Sequence, residues 1–298
     1  MTALRADVLR AAAFGGEPDL HPLPPAEDDA SRWWRAVALG GQGRYAGAAT
    51  ELAALVRPTT TPWLRSLAWS TRASHLRQVG GHVLARRLDG AALAVAATVV
   101  GGPGATARCD ALVGLAADAL GSGRVALARR LLVRAAEQLG SAEDRCTVRW
   151  YWVSAETALC ADDTGAAGAH AAAARMLADR GPSVRHQVKS LLVEAAAKGS
   201  TEGAEQSRAA AVEHGLLPLR WAATMLLLAL QGNPVGGQIG HENTVSHDLL
   251  ARRGGVLPGA HGLADLANSA SRVARAGRAI STSAHPIGVK VGPGPSDK

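Results

Sequence analysis

The sequence predicts an all-α protein built as a stack of about six antiparallel helix hairpins, and three observations support this prediction. Hydrophobic residues make up 47% of the chain but aromatic residues only 3%, so alanine, leucine and valine must form a core in which helices approach closely. Apolar residues recur at helical spacing on both sides of short turns. These turns themselves recur at a near-constant distance, as in helical repeat proteins.

Residues 1–30 are predicted to form an acidic, proline-rich arm ahead of the repeats. A short helix over residues 2–14 precedes four prolines between residues 18 and 25, which favour an extended chain. The arm has two arginines against six acidic residues. Two interpretations stay open: a solvated linker that touches nothing, or a segment folded back on the basic repeats, where it would shield Arg77, Arg149 and Lys189.

The repeat domain is predicted over residues 31–231, beginning with a helix after the acidic run at residues 27–29. A glycine or aspartate marks the turn inside each hairpin, at spacings of 37, 43, 39 and 37 residues. An alanine follows each of these turn residues at the fifth position. The turn residues are Gly43, Gly80, Gly123, Asp162 and Gly199, and the alanines are Ala48, Ala85, Ala128, Ala167 and Ala204.

The clearest hairpin lies within residues 105–139. An apolar helix is predicted from Ala111 to Leu120, a Gly-Ser-Gly turn follows at residues 121–123, and a second helix runs from Arg124 to Leu139. Neither helix buries its apolar stripe alone, so the hairpin needs neighbours on both sides.

Over roughly residues 30–215 the chain resembles the tetratricopeptide repeat family. The resemblance rests on Gly43-x-Tyr45-x-x-Ala48 with Leu52 and Leu55 after it, and on Leu39-Gly40 in the preceding helix. It implies a right-handed stack of hairpins whose first helices line a concave groove.

The resemblance also implies which residues face that groove, because positions three, six, ten and thirteen before each turn line it in the family. This spacing selects Trp33, Ser70, Ser74, Arg77, Asp110, Arg149, Trp152, Glu156, His186 and Lys189. Arg149, Trp152 and Glu156 share one helix face. The two charged side chains could bind the charges and backbone of an extended peptide, and the tryptophan ring could pack against it. For Trp33 and the other tryptophans, a place in the core is the alternative.

After the repeats, a sixth first helix is predicted from Leu217 to Leu230, with Pro218 in its first turn. Residues 232–280 are predicted to be a weakly helical extension, with short helices at 248–253 and 263–280. Residues 281–298 are rich in glycine and proline and are predicted to be a disordered tail.

Several other sites are disfavoured by the sequence. The glycines at 102 and 104 followed by Ala107 resemble a phosphate-binding loop, but no Lys-Ser/Thr pair follows, so a helix end and an interhairpin turn are expected. His241 and His247 lack a second pair of metal ligands. Three cysteines, at 109, 146 and 160, suggest reduced thiols. We expect no enzyme activity, no cofactor and no bound metal.

The net charge of +7 bears on possible partners. Arg86-Arg87 and Arg129-Arg130 occupy equivalent places on two second helices, which leaves open a nucleic-acid-associated or transcription-regulatory role, although no aromatic residues interleave them. Small-molecule sensing is a third possibility. The favoured hypothesis is a scaffold that binds a partner protein or extended peptide.

Apolar runs are too short to span a bilayer, and no signal peptide is evident, so we expect a cytoplasmic protein without membrane contact.

Overall fold

A computed structural model describes residues 2–232 and 237–255 of the 298-residue chain. Over these residues it contains thirteen α-helices, one short 3₁₀ turn at Leu139–Ser141 and no strand. The helices are α1 (Thr2–Phe14), α2 (Asp29–Gly41), α3 (Tyr45–Leu55), α4 (Pro62–Gln78), α5 (His82–Ala96), α6 (Gly101–Gly121), α7 (Val125–Ala136), α8 (Asp144–Leu159), α9 (Thr164–Arg180), α10 (Val184–Lys198), α11 (Thr201–Glu213), α12 (Leu217–Gln231) and α13 (Gln238–Arg252).

The helices are arranged as a helical repeat. Each one contacts the next along the chain, and the first helices α2, α4, α6, α8, α10 and α12 also form a continuous series in which each contacts the following one. The all-α prediction is therefore confirmed for the described residues. The arrangement is consistent with an α-solenoid, in which neighbouring units supply the apolar surface that a single hairpin cannot bury.

The five predicted turns share one backbone conformation. Gly43, Gly80, Gly123 and Gly199 have φ between 61° and 83°, and Asp162 has φ of 58°. In each turn the amide after this residue donates to the carbonyl five positions earlier, for example Arg44 to Leu39 at 2.8 Å. This left-handed residue with its 6→1 hydrogen bond ends a helix and reverses the chain, a role for which glycine has no Cβ penalty.

The alanines after these turns are buried, which confirms the repeat spacing. Ala48, Ala85, Ala128, Ala167 and Ala204 are all 0% exposed. A methyl side chain at these positions allows the second helix of a hairpin to pack closely on its neighbours, since interiors are filled to crystal-like density.

The N-terminal segment packs on the repeats, so its interpretation as a solvated linker is wrong. Helix α1 contacts α2 and α10, and Leu9 is fully buried in a cluster with Leu23 and Leu39. The extended chain after α1 is held by the Gln42 side-chain amide, which donates to the carbonyls of Pro18 and Leu20, each at 2.9 Å. As predicted, the acidic run begins a helix: Asp28 accepts from the Ser31 amide at 2.7 Å.

Helix α6 differs from its prediction because it starts ten residues earlier, at Gly101 instead of Ala111. Pro103 is compatible with the first helical turn, where its missing N–H has no partner to lose. The following helix is shorter than predicted and ends at Ala136.

The C-terminal part of the described chain is also more helical than expected. Helix α12 matches its prediction within one residue, but α13 begins at Gln238, whereas the sequence predicted a short helix over 248–253. Tertiary contacts stabilise this polar segment: Glu242 pairs with Arg220 at 2.6 Å and with Arg208 at 2.9 Å. The helix predicted over 263–280 and the tail over 281–298 lie outside the described residues.

The two ends of the described array meet. The Ala46 amide donates to the carbonyl of Arg253 at 2.9 Å, and the Arg253 guanidinium donates to the carbonyl of Gln42 at 2.9 Å. Leu250 is fully buried in an apolar cluster with Tyr45 and other residues of α12 and the first hairpins. Helices α12 and α13 therefore pack against the region of α2 and α3. No described helix is both long and apolar enough to cross a membrane.

Candidate ligand cavity

The first helices surround two adjoining cavities. The larger one, here called the main cavity, has a volume of about 460 Å³ and is lined by α4, α6, α8, α10 and α12. The smaller one, the side cavity, has a volume of about 60 Å³. Ser74, Arg149, Arg185 and His186 line both, so the two spaces meet at these side chains.

The structure brings all ten predicted groove residues to these two cavities. The main cavity includes Ser74, Arg77, Arg149, Trp152, Glu156, His186 and Lys189. The side cavity includes Trp33, Ser70 and Asp110, together with the predicted residues that line both cavities, Ser74, Arg149 and His186. Helical spacing explains this convergence, because residues three, four and seven apart on each first helix share its inner face.

The wall of the main cavity is mostly apolar between these polar groups. Val113 and Val153 come from α6 and α8, and Leu192, Met225 and Leu226 from α10 and α12. An apolar wall with a few fixed polar side chains is the usual composition of a ligand-binding cavity.

Arg77 lies at the cavity wall but is engaged inside the protein. Its Nη1 is 2.8 Å from both Asp89 Oδ2 and Asp118 Oδ1, and it donates to the Gly114 carbonyl at 3.2 Å. A Cβ at position 114 would lie 2.2 Å from Asp89 Oδ2, so this glycine makes room for the carboxylate. Burial raises the pKa of Asp89 to about 7 in spite of Arg77. Arg77 is therefore chiefly a structural cation.

Asp110 also forms ion pairs within the protein. Its carboxylate is 2.6 Å from Arg145 Nη1 and is hydrogen-bonded to Arg149 Nη1. Burial alone would raise the pKa of Asp110, but these two guanidinium groups outweigh it and lower the pKa. Asp110 thus positions two arginines at the side cavity.

The two predicted groove tryptophans have hydrogen-bonded indoles. Trp33 Nε1 donates to Thr71 Oγ1 at 2.9 Å, and Trp33 is only 5% exposed in an apolar cluster around α2 and α4. Trp152 Nε1 donates to Ser190 Oγ at 2.8 Å. Trp33 therefore belongs to the core at the edge of the side cavity, while the half-buried Trp152 lines the main cavity.

Of the remaining polar groove residues, Lys189 and Glu156 form an ion pair and His186 is neutral. Lys189 pairs with Glu156 at 3.0 Å across α10 and α8. His186 packs edge-on against Trp152, with ring centroids 5.3 Å apart. Burial, followed by the charges of Arg185, Arg145 and Arg149, lowers the pKa of His186 well below its usual value, so it is neutral at pH 7.

Sequence reasoning missed six residues of the side cavity: Phe14, Val37, Thr71, His75, Arg145 and Arg185. Arg145 precedes the predicted residue Arg149 by one helical turn, and Arg185 precedes His186, so a wider helical face would have included both. Phe14 carried no such signal, since it belongs to the segment assigned to the arm. Its ring packs on Trp33 at 5.4 Å and on His186 at 6.1 Å.

The other interpretation, in which the acidic arm shields Arg77, Arg149 and Lys189, is also wrong, because these cations pair with acidic residues of the repeats. In the arm, Glu27 pairs with Arg5 at 2.8 Å and Asp29 with Arg57 at 3.2 Å. The contact between this segment and the cavities is aromatic, through Phe14.

The alternative sites are not assembled in the described part of the chain. The glycine run forms the first turn of α6, and a Cβ at Gly104 would lie 2.2 Å from the Val99 carbonyl. No cluster of three or more potential metal ligands occurs among the described residues. Cys109 and Cys146 are buried thiols. On the outer surface, the arginines at 86, 87, 129 and 130 are all exposed.

Comparisons of the chain with protein-family models, with curated proteins and with solved structures found no match.

Proposed function

We propose that this protein is a non-enzymatic binding module that takes a short segment of a partner protein into the main cavity. We also propose that its hairpins form a right-handed, tetratricopeptide-like stack, on the strength of the repeated left-handed turns and buried alanines. The observation that carries the functional proposal is the convergence of ten spaced polar and aromatic positions on one inner surface.

The dimensions of the cavity support a short ligand. Ligand sites commonly have volumes of about 300–1,000 Å³, and the main cavity falls in this range at about 460 Å³. The contact between α13 and the first hairpin brings the ends of the array together, so the surrounding helices limit the width of a ligand inside.

The chemistry of the wall supports a segment with apolar side chains and polar backbone groups. Leu192, Val193 and Leu226 offer apolar surface, while Lys189 and Glu156 offer a donor and an acceptor on facing helices. Apolar pockets for side chains combined with hydrogen bonds for the backbone are how extended peptides are recognised.

Selection from a random heptapeptide display library against the full chain tests this proposal. Enriched peptides should bind the wild type in a fluorescence anisotropy assay, and Ala222→Trp, which fills the main cavity, should weaken binding at least tenfold. Val212→Trp, at an exposed position of α11, is the matched control and should bind normally. Failure to enrich any peptide, or equal binding by both variants, would contradict the proposal.

A small amphipathic molecule is the second candidate ligand, because a volume of about 460 Å³ and a mostly apolar wall with a few polar side chains also suit a small molecule. A thermal-shift screen of metabolites distinguishes it. A compound that stabilises the wild type and Val212→Trp, but leaves Ala222→Trp unchanged, would assign the main cavity to a small molecule if the peptide selection fails.

A further inference from the structure

The side cavity contains more positive than negative charge. Arg145, Arg149 and Arg185 line it, and the carboxylates that pair with them are Asp110 and Glu143. Within the described residues no carboxylate forms an ion pair with Arg185. Since His186 is neutral, this leaves one positive charge without an acidic partner where the two cavities meet.

Two guanidinium atoms at this site are buried without a hydrogen-bond acceptor in the described part of the chain: Arg185 Nε and Arg145 Nη2. Buried N–H donors are nearly always satisfied in folded proteins, and an exception is commonly filled by an ion, a water or a ligand. Both donors belong to residues that line the side cavity.

The arginines are held in place by aromatic packing. The Cζ atoms of Arg145 and Arg185 lie 5.6 Å and 5.8 Å from the centre of the Phe14 ring, and Arg145 Cζ is 5.3 Å from that of Trp33. A Cβ at position 41 would lie 3.2 Å from Arg185 Cδ, so Gly41 accommodates the stem of this side chain. Such packing fixes the guanidinium groups before a ligand arrives.

We infer that the side cavity is a carboxylate-binding subsite, where Arg185 and Arg145 bind the single negative charge of a ligand whose apolar body occupies the main cavity. This inference rests on the proposed function and specifies the chemistry of the ligand. A carboxylate suits the planar fork of a guanidinium group, and its one charge equals the charge left without a partner.

The size of the subsite agrees with a small head group. By the measure in which one water needs about 10–15 Å³, a cavity of about 60 Å³ has room for about four waters, enough for the three heavy atoms of a carboxylate. The apolar wall of the adjoining main cavity then receives the rest of the ligand.

The electrostatics of Arg185 agree with this assignment. Burial and the neighbouring charges of Arg149 and Arg145 lower the pKa of Arg185 to about 10. A bound anion would offset this repulsion, so charge-assisted hydrogen bonds to it would be stronger than those between neutral groups.

Calorimetric titration of the full chain with three matched probes tests the inference: decanoate, decan-1-ol and decylamine, at pH 7 and constant ionic strength. Decanoate should bind at least tenfold more tightly than either of the others. Arg185→Gln should remove most of this preference without changing the affinity for decanol. Arg175→Gln, which changes an arginine that pairs with Asp179 on α9, is the control and should keep the preference.

Equal binding of decanoate and decanol by the wild type would overturn the inference, as would an unchanged preference in Arg185→Gln or no binding of any probe. The comparison of the three probes on the wild type needs no variant, so it tests the carboxylate preference even if Arg185→Gln does not fold. The peptide selection judges the proposed function separately. For the enriched peptides, loss of affinity on C-terminal amidation would show that the subsite binds the C-terminal carboxylate. Loss of affinity on replacing an acidic side chain would show that the subsite binds that side-chain carboxylate. Unchanged affinity after both changes would contradict the subsite.

Discussion

At the residue scale, the inner surface depends on charged and titratable side chains that are removed from water. Arg77 holds two buried aspartates, and Asp110 holds two arginines. Breaking such a pair leaves a buried charge uncompensated, which is far more costly than loss of an exposed pair. His75 and His186 stay neutral, because burial and the nearby arginines oppose their protonation.

His75 gives this surface a testable pH dependence. Burial, followed by the charges of Arg185, Arg72 and Arg77, lowers its pKa from 6.5 to about 3. The unfolded chain therefore binds a proton at this histidine below about pH 6.5 that the folded chain does not bind, and stability falls as the pH decreases from 6.5 towards 3. Above pH 6.5 the contribution is present in full.

Replacement of this side chain in His75→Gln should therefore flatten the acid side of the stability curve. Between pH 6.5 and 5 the free energy of unfolding should fall by about 2 kcal/mol less than in the wild type, at about 1.4 kcal/mol for each pH unit. Urea unfolding across this range measures it. His241→Gln changes an exposed histidine and serves as the control. Parallel curves for His75→Gln and the wild type would contradict the prediction.

At the element scale, one local device repeats along the chain: a first helix ends in a left-handed residue, and the second helix presents a buried alanine soon after it. At the turn that begins with Gly123, the Arg124 amide donates to the Ala119 carbonyl at 2.8 Å. At the turn with Asp162, the Asp163 amide donates to the Ala158 carbonyl at 3.0 Å. Aspartate at 162 shows that the conformation is preserved without glycine, since aspartate tolerates this region better than most residues.

The alanine register predicts the response of α7 to a large side chain. Ala128 is 0% exposed, so Ala128→Trp must displace its neighbours and should lower the free energy of unfolding by about 1–3 kcal/mol. Ala126→Trp, at an exposed position of the same helix, should change it by less than about 0.5 kcal/mol. Chemical denaturation of the two variants checks the register, and equal stability would refute it.

At the scale of the whole molecule, closure places helices on all sides of the inner surface formed by the first helices. The closing contacts join α13 to the first hairpin, and they combine two backbone carbonyl hydrogen bonds with the buried side chain of Leu250. On the other side, Val184 donates to the Gly15 carbonyl at 3.2 Å, so α1 links the first hairpin to α10. These long-range contacts bound the space available to a ligand.

The closure should be sensitive to Leu250→Ala, which removes its buried apolar contact. We expect a loss of about 2–5 kcal/mol in the free energy of unfolding. Faster hydrogen exchange is expected at the Ala46 amide, which donates to Arg253. Val245→Ala, at a position of α13 that is 43% exposed, should alter neither quantity appreciably. Unchanged exchange at Ala46 in Leu250→Ala would show that the closure does not depend on this side chain.

The helical class, the turns at 43, 80, 123, 162 and 199, and the inner faces of the first helices were all predictable from the amino-acid sequence. These features are local: helical periodicity places residues on a face, and a left-handed residue ends a helix wherever it occurs. The resemblance to tetratricopeptide repeats, applied at these turns, implied the ten residues that line the two cavities, including Arg149 and Trp152.

Which of these residues are committed to internal ion pairs, and which remain available to a ligand, became clear only from the packing of the helices. Asp110 and Arg77 were selected as groove residues, but their partners lie up to 41 positions away, and local spacing does not identify such partners. The docking of α1, the full length of α13 and the closure of the array also depend on contacts between distant segments. Arg185 lacks an acidic partner among the described residues for the same reason: which charges meet is set by how the helices pack.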